Sequence, residues 1–383
     1  NLIDIKEDGS FHLNMEYFNF ISGLTMTNNK MNNLFGFRPR KTDEPITQKY
    51  MDLARSIQEV CQEVILKTAK YIKKKTEQQN LCMAGGIALN CVANGELLKS
   101  EIFKKIWIQP AAGDAGGALG AALAVWYQFL NMPRNNLIYN VKDLVYSGPE
   151  FNDLEIKKFL NENNIIFEQK SDPERTAANA VIKQHVVGWF QGQMEFGPRA
   201  LGNRSIIGDA RSESMQKIMN LKIKQRESFR PFAPAILEEK IEEWFQLKQP
   251  SPYMLLVTKI LESKKLIKSL PNIGLDKVNI KNSVIPAVTH IDFSARIQSI
   301  NKKSNPKFYK LIKYVNNKTD CPIVINTSFN VRGEPIVATP LDAYRCFMRT
   351  EMDDLFMGSF HIIKTNQPKS IIKNDFFEEF ELD

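Results

Sequence analysis

A strand followed by a glycine-rich turn and a helix occurs twice between residues 80 and 130, and this repeated unit limits the fold most strongly. In the first copy, residues 81–84 predict a short buried strand, Gly85-Gly86 a turn and residues 88–98 a helix. In the second copy, "IWIQP" predicts a strand, and "AAGDAGGALGAALAVWYQFL" a glycine-rich turn that leads into a helix of small residues. Strands that alternate with helices in this way indicate an α/β architecture.

Apolar periodicity and turn residues predict the remaining organisation. Residues 46–75 predict a long amphipathic helix, and the Pro-, Asn- and Gly-containing loop at residues 131–149 predicts a domain boundary. Further helices are predicted at 152–161, 173–183 and 341–350, and strands at 165–169, 186–190 and 355–364. "CPIVINTSFNVRGEPIV" predicts a strand, a polar turn and a second strand, and the acidic tail "NDFFEEFELD" is expected to be peripheral.

The composition narrows the class of protein. The 383 residues are 43% hydrophobic and 25% charged, without a run of eighteen apolar residues, so we expect no membrane partner and a cytoplasmic protein. The formal charge of +8 comes from dispersed lysines, which favours an anionic small substrate over nucleic acid. Five cysteines without a C-x-x-C pair indicate reduced thiols, and four scattered histidines predict no self-contained histidine metal site.

The segment "QGQMEFGPRALGNRSIIGDAR", residues 191–211, places Arg199, Arg204 and Arg211 among four glycines. Glycines permit a close backbone approach, and arginine offers a planar fork of donors that fits an oxyanion. Further basic residues precede the rigid "RPFAP" turn: Lys224, Arg226 and Arg230. This pattern predicts a pocket for a small phosphate; the structural alternative is that an arginine pairs with Glu195 or Asp209 to hold the loop.

The two glycine turns are candidate nucleotide sites. Main-chain amides at the start of a helix bind phosphate, so Gly113 to Gly117 could receive a nucleotide, and Asp114 could hold a divalent cation. The alternative is a plain turn in which Asp114 caps the helix. In "AGGIALN", Asn90 follows the Gly85-Gly86 turn and could contribute to the same surface.

Two polar segments towards the carboxyl end also carry groups capable of chemistry. "VTHIDFSARIQ" brings His290 and Asp292 together, where a structural hydrogen bond and acid–base catalysis are equally acceptable interpretations. "NTSFNVRGEPIV" offers short polar side chains at a junction between strand and turn, including Ser328 and Asn330. A G-x-S-x-G nucleophile motif does not occur.

Together, these motifs resemble those of the O-carbamoyltransferases of nodulation-factor and antibiotic biosynthesis. The resemblance rests on "LCMAGGIALNCVANGELL", "QPAAGDAGGALGAAL", "GQMEFGPRALGNRSIIGDAR", "KIKQRESFRPFAP", "VTHIDFSARIQ" and "NTSFNVRGEPIVATPLDAYRCF", in the family's order. It implies the carboxy-terminal part of an actin- and sugar-kinase-like ATPase module at residues 1–145. It further implies a YrdC-like α/β domain, which binds carbamoyl phosphate, at residues 146–383.

The resemblance also implies the chemistry and the residues. Carbamoyl phosphate is split to carbamate, which attacks ATP to give carbamoyl adenylate, and a hydroxyl of a sugar or natural product then takes the carbamoyl group. The carbamoyl phosphate residues implied are Arg199, Arg204, Lys224, Arg226, Arg230, Ser328 and Asn330. Those implied on the ATP side are Gly85, Gly86, Asn90, Gly113 and Gly117, with Asp114 as ligand of an iron-type divalent metal.

Two departures from the family pattern qualify these expectations. The amino-terminal lobe, with its paired metal-binding histidines, is expected to be lacking, so the chain would represent part of a longer enzyme. Phe293 stands where a glycine is usual in "THxDGxAR".

The alternative functions are those of a threonylcarbamoyl-type tRNA-modifying enzyme and of a non-catalytic fragment that binds carbamoyl phosphate or nucleotide. Hydrogenase-maturation enzymes of similar organisation carry cysteine-rich zinc fingers, which this sequence does not have. The chain could also form a homodimer.

Overall fold

The computed structural model describes residues 1–41, 44–134, 145–267 and 280–368. It divides into two compact units. The first comprises Asn1–Met83 and Val92–Trp107, and the second comprises Ala84–Cys91 and Ile108–Asp383. The acidic tail and much of the loop predicted at residues 131–149 lie outside the described residues, and the predicted domain boundary stays a prediction.

The first unit is built around one long helix. Its strands β1 (Ile3–Ile5) and β2 (Phe11–Leu13) form an antiparallel pair, and the helices α1 (Asn29–Phe35) and α2 (Gln48–Thr76) follow. The prediction of a long helix is confirmed within two residues at its start. Ala69 of α2 packs with Leu97 and Phe103 in the apolar core of this unit.

The first predicted strand, turn and helix are found as β3 (Asn80–Met83), a 3-10 turn and α3 (Cys91–Lys99). The prediction that this strand is buried was wrong, because its residues are exposed or half-buried. β3 pairs with β4 (Lys105–Ile108) in a sheet that has two strands among the described residues. The second glycine turn then leads into α4 (Asp114–Ala124). The repeated unit that indicated an α/β fold is therefore present.

The second unit contains a mixed sheet with nine strands in the described part of the chain, in the order β5-β13-β12-β6-β7-β11-β8-β10-β9. Its strands are β5 (Glu168–Gln169), β6 (Val187–Phe190), β7 (Arg204–Asp209), β8 (Ala233–Leu237), β9 (Leu256–Lys259), β10 (Ser294–Ile300), β11 (Ile323–Ser328), β12 (Asp354–Met357) and β13 (Phe360–Ile363). β6 and β12 are parallel, as are β8 and β10, and the other neighbouring strands are antiparallel. A mixed α/β fold was expected, and it is confirmed.

Helices with clear sequence signals surround this sheet: α5 (Asp153–Glu162), α6 (Pro173–Ile182), α7 (Met215–Ile218), α8 (Pro306–Thr319) and α9 (Pro340–Arg349). α6, α8 and α9 each begin with a proline behind a side chain that caps the helix, the cap being Asp172, Asn305 or Thr339. α6 and α8 bury their apolar faces against the sheet in one core, which includes Val181, Trp189 and Phe308.

Some local predictions were wrong. Residues 355–364 form the hairpin β12–β13 rather than one strand, because Gly358 turns the chain with a positive φ of 55°. The polar turn after β11 is not followed by the second strand that was predicted. Phe293, by contrast, adopts a φ of 62°, in the left-handed region that favours the glycine of the family pattern.

Among the helices of the described residues, none is both long enough and apolar enough to span a membrane.

Candidate functional site

Five predicted site residues lie around one cavity of about 390 Å³ in the second unit. Lys224, Arg226 and Arg230 come from the segment between α7 and β8, while Ser328 ends β11 and Asn330 lies in the turn after it. The same turn contributes the rest of the lining: Val331, Arg332, Gly333, Glu334 and Pro335. Sequence segments about one hundred residues apart thus meet because β11 lies beside β8 in the sheet.

Lys224 connects the two segments. Its Nζ donates to the main-chain oxygens of Ser328 at 2.5 Å and Asn330 at 2.9 Å. It also contacts Ser328 Oγ at 3.1 Å and Asn330 Oδ1 at 2.6 Å. The side chain is almost fully buried, and burial, together with the nearby Arg226, lowers the pKa of this ammonium to about 7.

Arginines supply most of the positive charge of the cavity. Arg226 donates through Nε to Asn220 Oδ1 at 2.7 Å, and Asn220 Nδ2 donates to the Arg230 carbonyl at 2.8 Å. Asn220 therefore fixes the segment that presents both arginines. Burial, followed by the neighbouring Arg230 and Arg296, lowers the pKa of Arg226 to about 10, so the guanidinium stays charged at neutral pH. Arg230 forms an ion pair with Glu227 at 2.9 Å.

Concentrated positive charge of this kind has an energetic cost. Lys224, Arg226, Arg230 and Arg332 repel one another across a partly buried space, and an anion in the cavity relieves that repulsion. Arginine guanidinium groups are also suited to bidentate contacts with a phosphate. The arrangement can therefore bind a small, multiply charged oxyanion.

Arg199 lies outside the residues that line this cavity. It is half-buried, and burial together with the nearby Arg296 lowers its pKa to about 10. Its loop approaches the second glycine turn, because a Cβ placed on Gly197 would lie 3.3 Å from the Cβ of Ala111. Arg296, which also acts on Arg226, thus links Arg199 electrostatically to the cavity.

Arg204 requires a correction. The resemblance implied contact with carbamoyl phosphate, but its guanidinium donates to the carbonyls of four residues: Pro149, Gln191, Gly192 and Asn203. The side chain is fully buried, and it lies 3.7 Å from the centre of the Phe190 ring. Arg204 therefore holds the loop together. The structural alternative considered pairing with Glu195 or Asp209, and Arg204 donates to carbonyls instead.

Glu195 and Asp209 stabilise the same arginine–glycine segment. Glu195 Oε1 accepts from the amides of Leu201 at 2.6 Å and Asn203 at 2.8 Å. Asp209 forms an ion pair with Arg211 at 2.7 Å. The segment is thus a braced loop, and its arginines have different local roles.

The two glycine turns of the predicted nucleotide site are adjacent in the structure. The amide of Gly85 donates to the carbonyl of Ala112 at 2.7 Å. A Cβ built on Gly85, Gly86 or Gly117 would meet nothing within 4 Å among the described residues. Asn90 is half-buried at the end of the first turn, and Gly113 is the N-cap of α4. The turns therefore leave backbone accessible beside the start of a helix, which suits a phosphate group.

Asp114 is exposed in the first turn of α4. In the part of the chain that the structure describes, no three His, Cys, Asp or Glu side chains form a metal site. One carboxylate is too few donors for a divalent ion, so the described residues alone do not fit the implied metal.

His290 and Asp292 do not form the hydrogen bond that their spacing suggested. Both contact Ser294 Oγ, His290 Nδ1 at 3.1 Å and Asp292 Oδ1 at 2.6 Å. Asp292 also pairs with Lys259 at 2.7 Å. Burial lowers the pKa of His290 to about 4, so this group braces the turn before β10 as a neutral imidazole at neutral pH.

Sequence reasoning missed several residues of the site. Arg332 and Glu334 line the cavity and belong to the motif "NTSFNVRGEPIV". Their charged side chains, next to Gly333 and Pro335, could have indicated a role in the site. Asn220 and Arg349 gave no signal, because each acts through a partner that only the fold reveals.

Comparisons with known proteins agree with this arrangement. The family model described as "Carbamoyltransferase N-terminus" matches residues 1–123, and "Carbamoyltransferase C-terminus" matches residues 178–364. The cavity residues all lie in the second match, and the two glycine turns lie in the first. The comparisons do not support the expectation that the amino-terminal lobe is lacking, because a model of the N-terminus matches part of the chain.

Similar proteins also indicate the carbamoyltransferase family. The chain is 52% identical to the uncharacterized protein sll1178 of Synechocystis sp., with 100% of this chain and 63% of that protein covered. It is 38% identical to nodulation protein NolO of Bradyrhizobium diazoefficiens (85% and 57% covered). It is also 29% identical to the 3'-hydroxymethylcephem-O-carbamoyltransferase of Streptomyces clavuligerus (73% and 47% covered). The chain therefore spans less than two thirds of each relative's length. With both family models matched, the chain belongs to the carbamoyltransferase family.

Proposed function

We propose that this chain takes part in O-carbamoyl transfer and that the arginine-lined cavity binds carbamoyl phosphate as the donor. Water splits the donor into carbamate and inorganic phosphate. The carbamate oxygen then attacks the α-phosphorus of ATP, which releases pyrophosphate and gives carbamoyl adenylate. Finally, the hydroxyl oxygen of a small acceptor attacks the carbamoyl carbon, AMP leaves and the hydroxyl proton passes to solvent.

The observation that carries the proposal is the convergence of Lys224, Arg226, Arg230 and Arg332 on one cavity. Its volume of about 390 Å³ has room for a small phosphate compound. Because the ligand is a dianion, several fixed cations are needed to hold it. Ser328 and Asn330 add short polar groups at the same wall.

Each part of the cavity has a distinct role in this proposal. Asn220 fixes the side chain of Arg226 and the backbone of Arg230, so Arg226 contacts the phosphate oxygens with little reorganisation on binding, and Arg230 adds a second guanidinium. Lys224 braces the opposite wall and adds charge. These cations stabilise the negative charge that develops on the departing phosphate.

Glycine turns support the ATP part of the proposal. Gly85, Gly86 and Gly117 leave space for a triphosphate beside the first turn of α4, where Gly113 is the N-cap, and Asn90 lies close to them. Arg199 lies on a loop that reaches this turn, and Arg296 connects it electrostatically with the cavity. Both sites belong to the second unit.

The name of the Streptomyces relative supports the class of acceptor. That enzyme is an O-carbamoyltransferase for 3'-hydroxymethylcephem, a small molecule with a hydroxyl group. We infer that the acceptor here is also a small hydroxylated compound. We also propose the architecture that the resemblance implies for this chemistry, an actin-like ATPase module followed by a YrdC-like domain. No step is assigned to a metal, because Asp114 alone does not make up a donor set.

Release of inorganic phosphate from carbamoyl phosphate tests the donor half of the proposal. We expect the full chain to release phosphate faster than the solution without protein. Arg226→Lys should reduce release at subsaturating donor by about tenfold or more, because lysine keeps the charge and loses the fork. Arg211→Lys is the matched control, since Arg211 pairs with Asp209 away from the cavity. Release at the uncatalysed rate from a folded wild-type chain that also fails to bind the donor would refute the proposal.

A further inference from the structure

The wall of the cavity contains one acidic residue, Glu334, and a buried cation lies behind it. Arg349, the last residue of α9, forms an ion pair with Glu334 Oε2. Their side chains are only 6% and 8% exposed. Arg349 itself is not among the residues that line the cavity. A carboxylate in such a place would repel an anionic ligand, unless its charge is neutralised from behind.

Glu334 also closes the turn that follows β11. Its Oε2 accepts from the amide of Val331 at 2.8 Å, and its main-chain oxygen accepts from Asn330 Nδ2 at 2.6 Å. Both contacts fold the turn back on itself. The side chain and the backbone of Glu334 therefore act on the same few residues.

From Glu334, the contacts continue to the cations of the cavity. Asn330 Oδ1 receives Lys224 Nζ at 2.6 Å and Ser328 Oγ at 2.7 Å. With Nδ2 bonded to the Glu334 carbonyl, both ends of the Asn330 amide are engaged, so its orientation is fixed. A continuous chain of contacts thus runs from Arg349 through Glu334 and Asn330 to Lys224.

We propose that Glu334 and Arg349 are positioning residues of the anion cavity: Arg349 neutralises the Glu334 carboxylate and holds it in the orientation that keeps the turn at residues 328–335 ready for an anionic ligand. This inference rests on the proposed function of the cavity. Neither residue needs to touch the ligand.

Two single substitutions have opposite electrostatic consequences. Arg349→Gln leaves the Glu334 charge facing the ligand, so we expect affinity for inorganic phosphate to fall on the order of tenfold or more. Glu334→Gln removes that charge and should cost less affinity. The double variant should therefore bind phosphate better than Arg349→Gln alone. A role in stability alone predicts equal affinities for the folded part of all these variants.

The experiment is calorimetric titration of the full chain with inorganic phosphate, with thermal melts run alongside. Glu351→Gln is the matched control, because its ion pair with Lys222 is exposed and lies next to α9. Arg349→Lys keeps the charge and should retain most of the affinity. If Arg349→Gln does not fold, Arg349→Met, which also removes the charge, takes its place.

The outcomes separate this inference from the proposed function. Weaker binding in Arg349→Gln that the double variant partly restores supports the positioning role. If the wild type binds phosphate and Arg226→Lys weakens binding while Arg349→Gln, or Arg349→Met in its place, binds like the wild type, the positioning role is refuted and the cavity proposal stands. If the folded wild type binds neither phosphate nor carbamoyl phosphate, both proposals are refuted.

Discussion

Two buried cations of the second unit, Arg204 and Lys224, show how context decides the role of a charged residue. Both are surrounded by neutral oxygen atoms, and burial lowers the pKa of both. Arg204 donates to carbonyls of its own loop and of Pro149 and does not line the cavity, whereas Lys224 joins two segments that form the cavity wall. The sequence alone did not distinguish them, because both stand in basic motifs of the same type.

Replacement of Arg204 by lysine should affect stability and leave ligand binding intact. The ammonium cannot reach the four carbonyls that the guanidinium spans, and it loses the stacking on Phe190. We expect the free energy of unfolding to fall by about 2–4 kcal/mol, since hydrogen bonds to charged groups are worth about 1.5–3 kcal/mol each. Urea unfolding measures this loss, and calorimetry with carbamoyl phosphate measures affinity. A large drop in affinity with unchanged stability would return Arg204 to the binding site.

Lys224 should make anion affinity depend on pH. Its pKa of about 7 lies below the usual 10.5 because burial disfavours the charge. Since an anion needs the charged form, affinity should weaken above pH 7, by up to about tenfold per pH unit. Sulfate is the suitable probe, because its own charge does not change in this range.

The stability of the native protein should rise over the pH range in which anion affinity falls. Between pH 7 and 10.5, the unfolded chain keeps the Lys224 proton that the native chain has lost, so native stability rises through this window. The charged or titratable groups that act on Lys224 are Arg226, Glu334 and Cys346. Lys224→Met should abolish the pH dependence of sulfate binding. The same slope in that variant would assign the effect to another group.

At the scale of elements, local signals predicted most helices and fewer strands. The capped, proline-started helices α6 and α9 were predicted within a residue or two, because their end signals are local. β7, within the arginine–glycine segment, was not predicted, because the glycines and arginines of this segment do not indicate a strand. The strand forms because β6 and β11 pair with it. A strand whose stability comes from distant neighbours leaves little trace in its own sequence.

The candidate site follows the same rule. Lys224, Arg226, Arg230, Ser328 and Asn330 were recognised in motifs, and the sheet then brought them together. Residues that act through others, such as Asn220 and Arg349, could not be found, because their function depends on a contact between segments far apart in the chain.

The glycines of α4 offer a matched test of the nucleotide proposal. A Cβ at Gly117 or Gly120 would meet nothing within 4 Å, so each glycine-to-alanine variant should fold and gain about 0.5–1 kcal/mol of stability. Gly117 lies in the first turn of α4, where a phosphate would approach the backbone, whereas Gly120 lies further along the helix. Gly117→Ala should therefore weaken ATP binding in calorimetry, while Gly120→Ala should not. Equal ATP affinity in both variants would count against this turn as the nucleotide site.

For the whole molecule, the important feature is that two matched family regions contribute to one compact unit. The glycine turns lie in the N-terminus match and the arginine cavity in the C-terminus match, yet both belong to the second unit. The overall charge of +8 was interpreted as suited to an anionic small substrate, and the cavity is one local concentration of positive charge. The arrangement explains how a single chain could hold a phosphate donor and a nucleotide at separate places.

Calorimetric titration of the full chain with carbamoyl phosphate tests the central claim most directly. We predict one binding site per chain, with affinity reduced on the order of tenfold to a hundredfold in Arg226→Met and Arg230→Met, because each removes a charged donor from the cavity. Arg211→Met should bind as the wild type does. Unchanged affinity in both cavity variants, with folding intact, would contradict the claim that this cavity holds the donor.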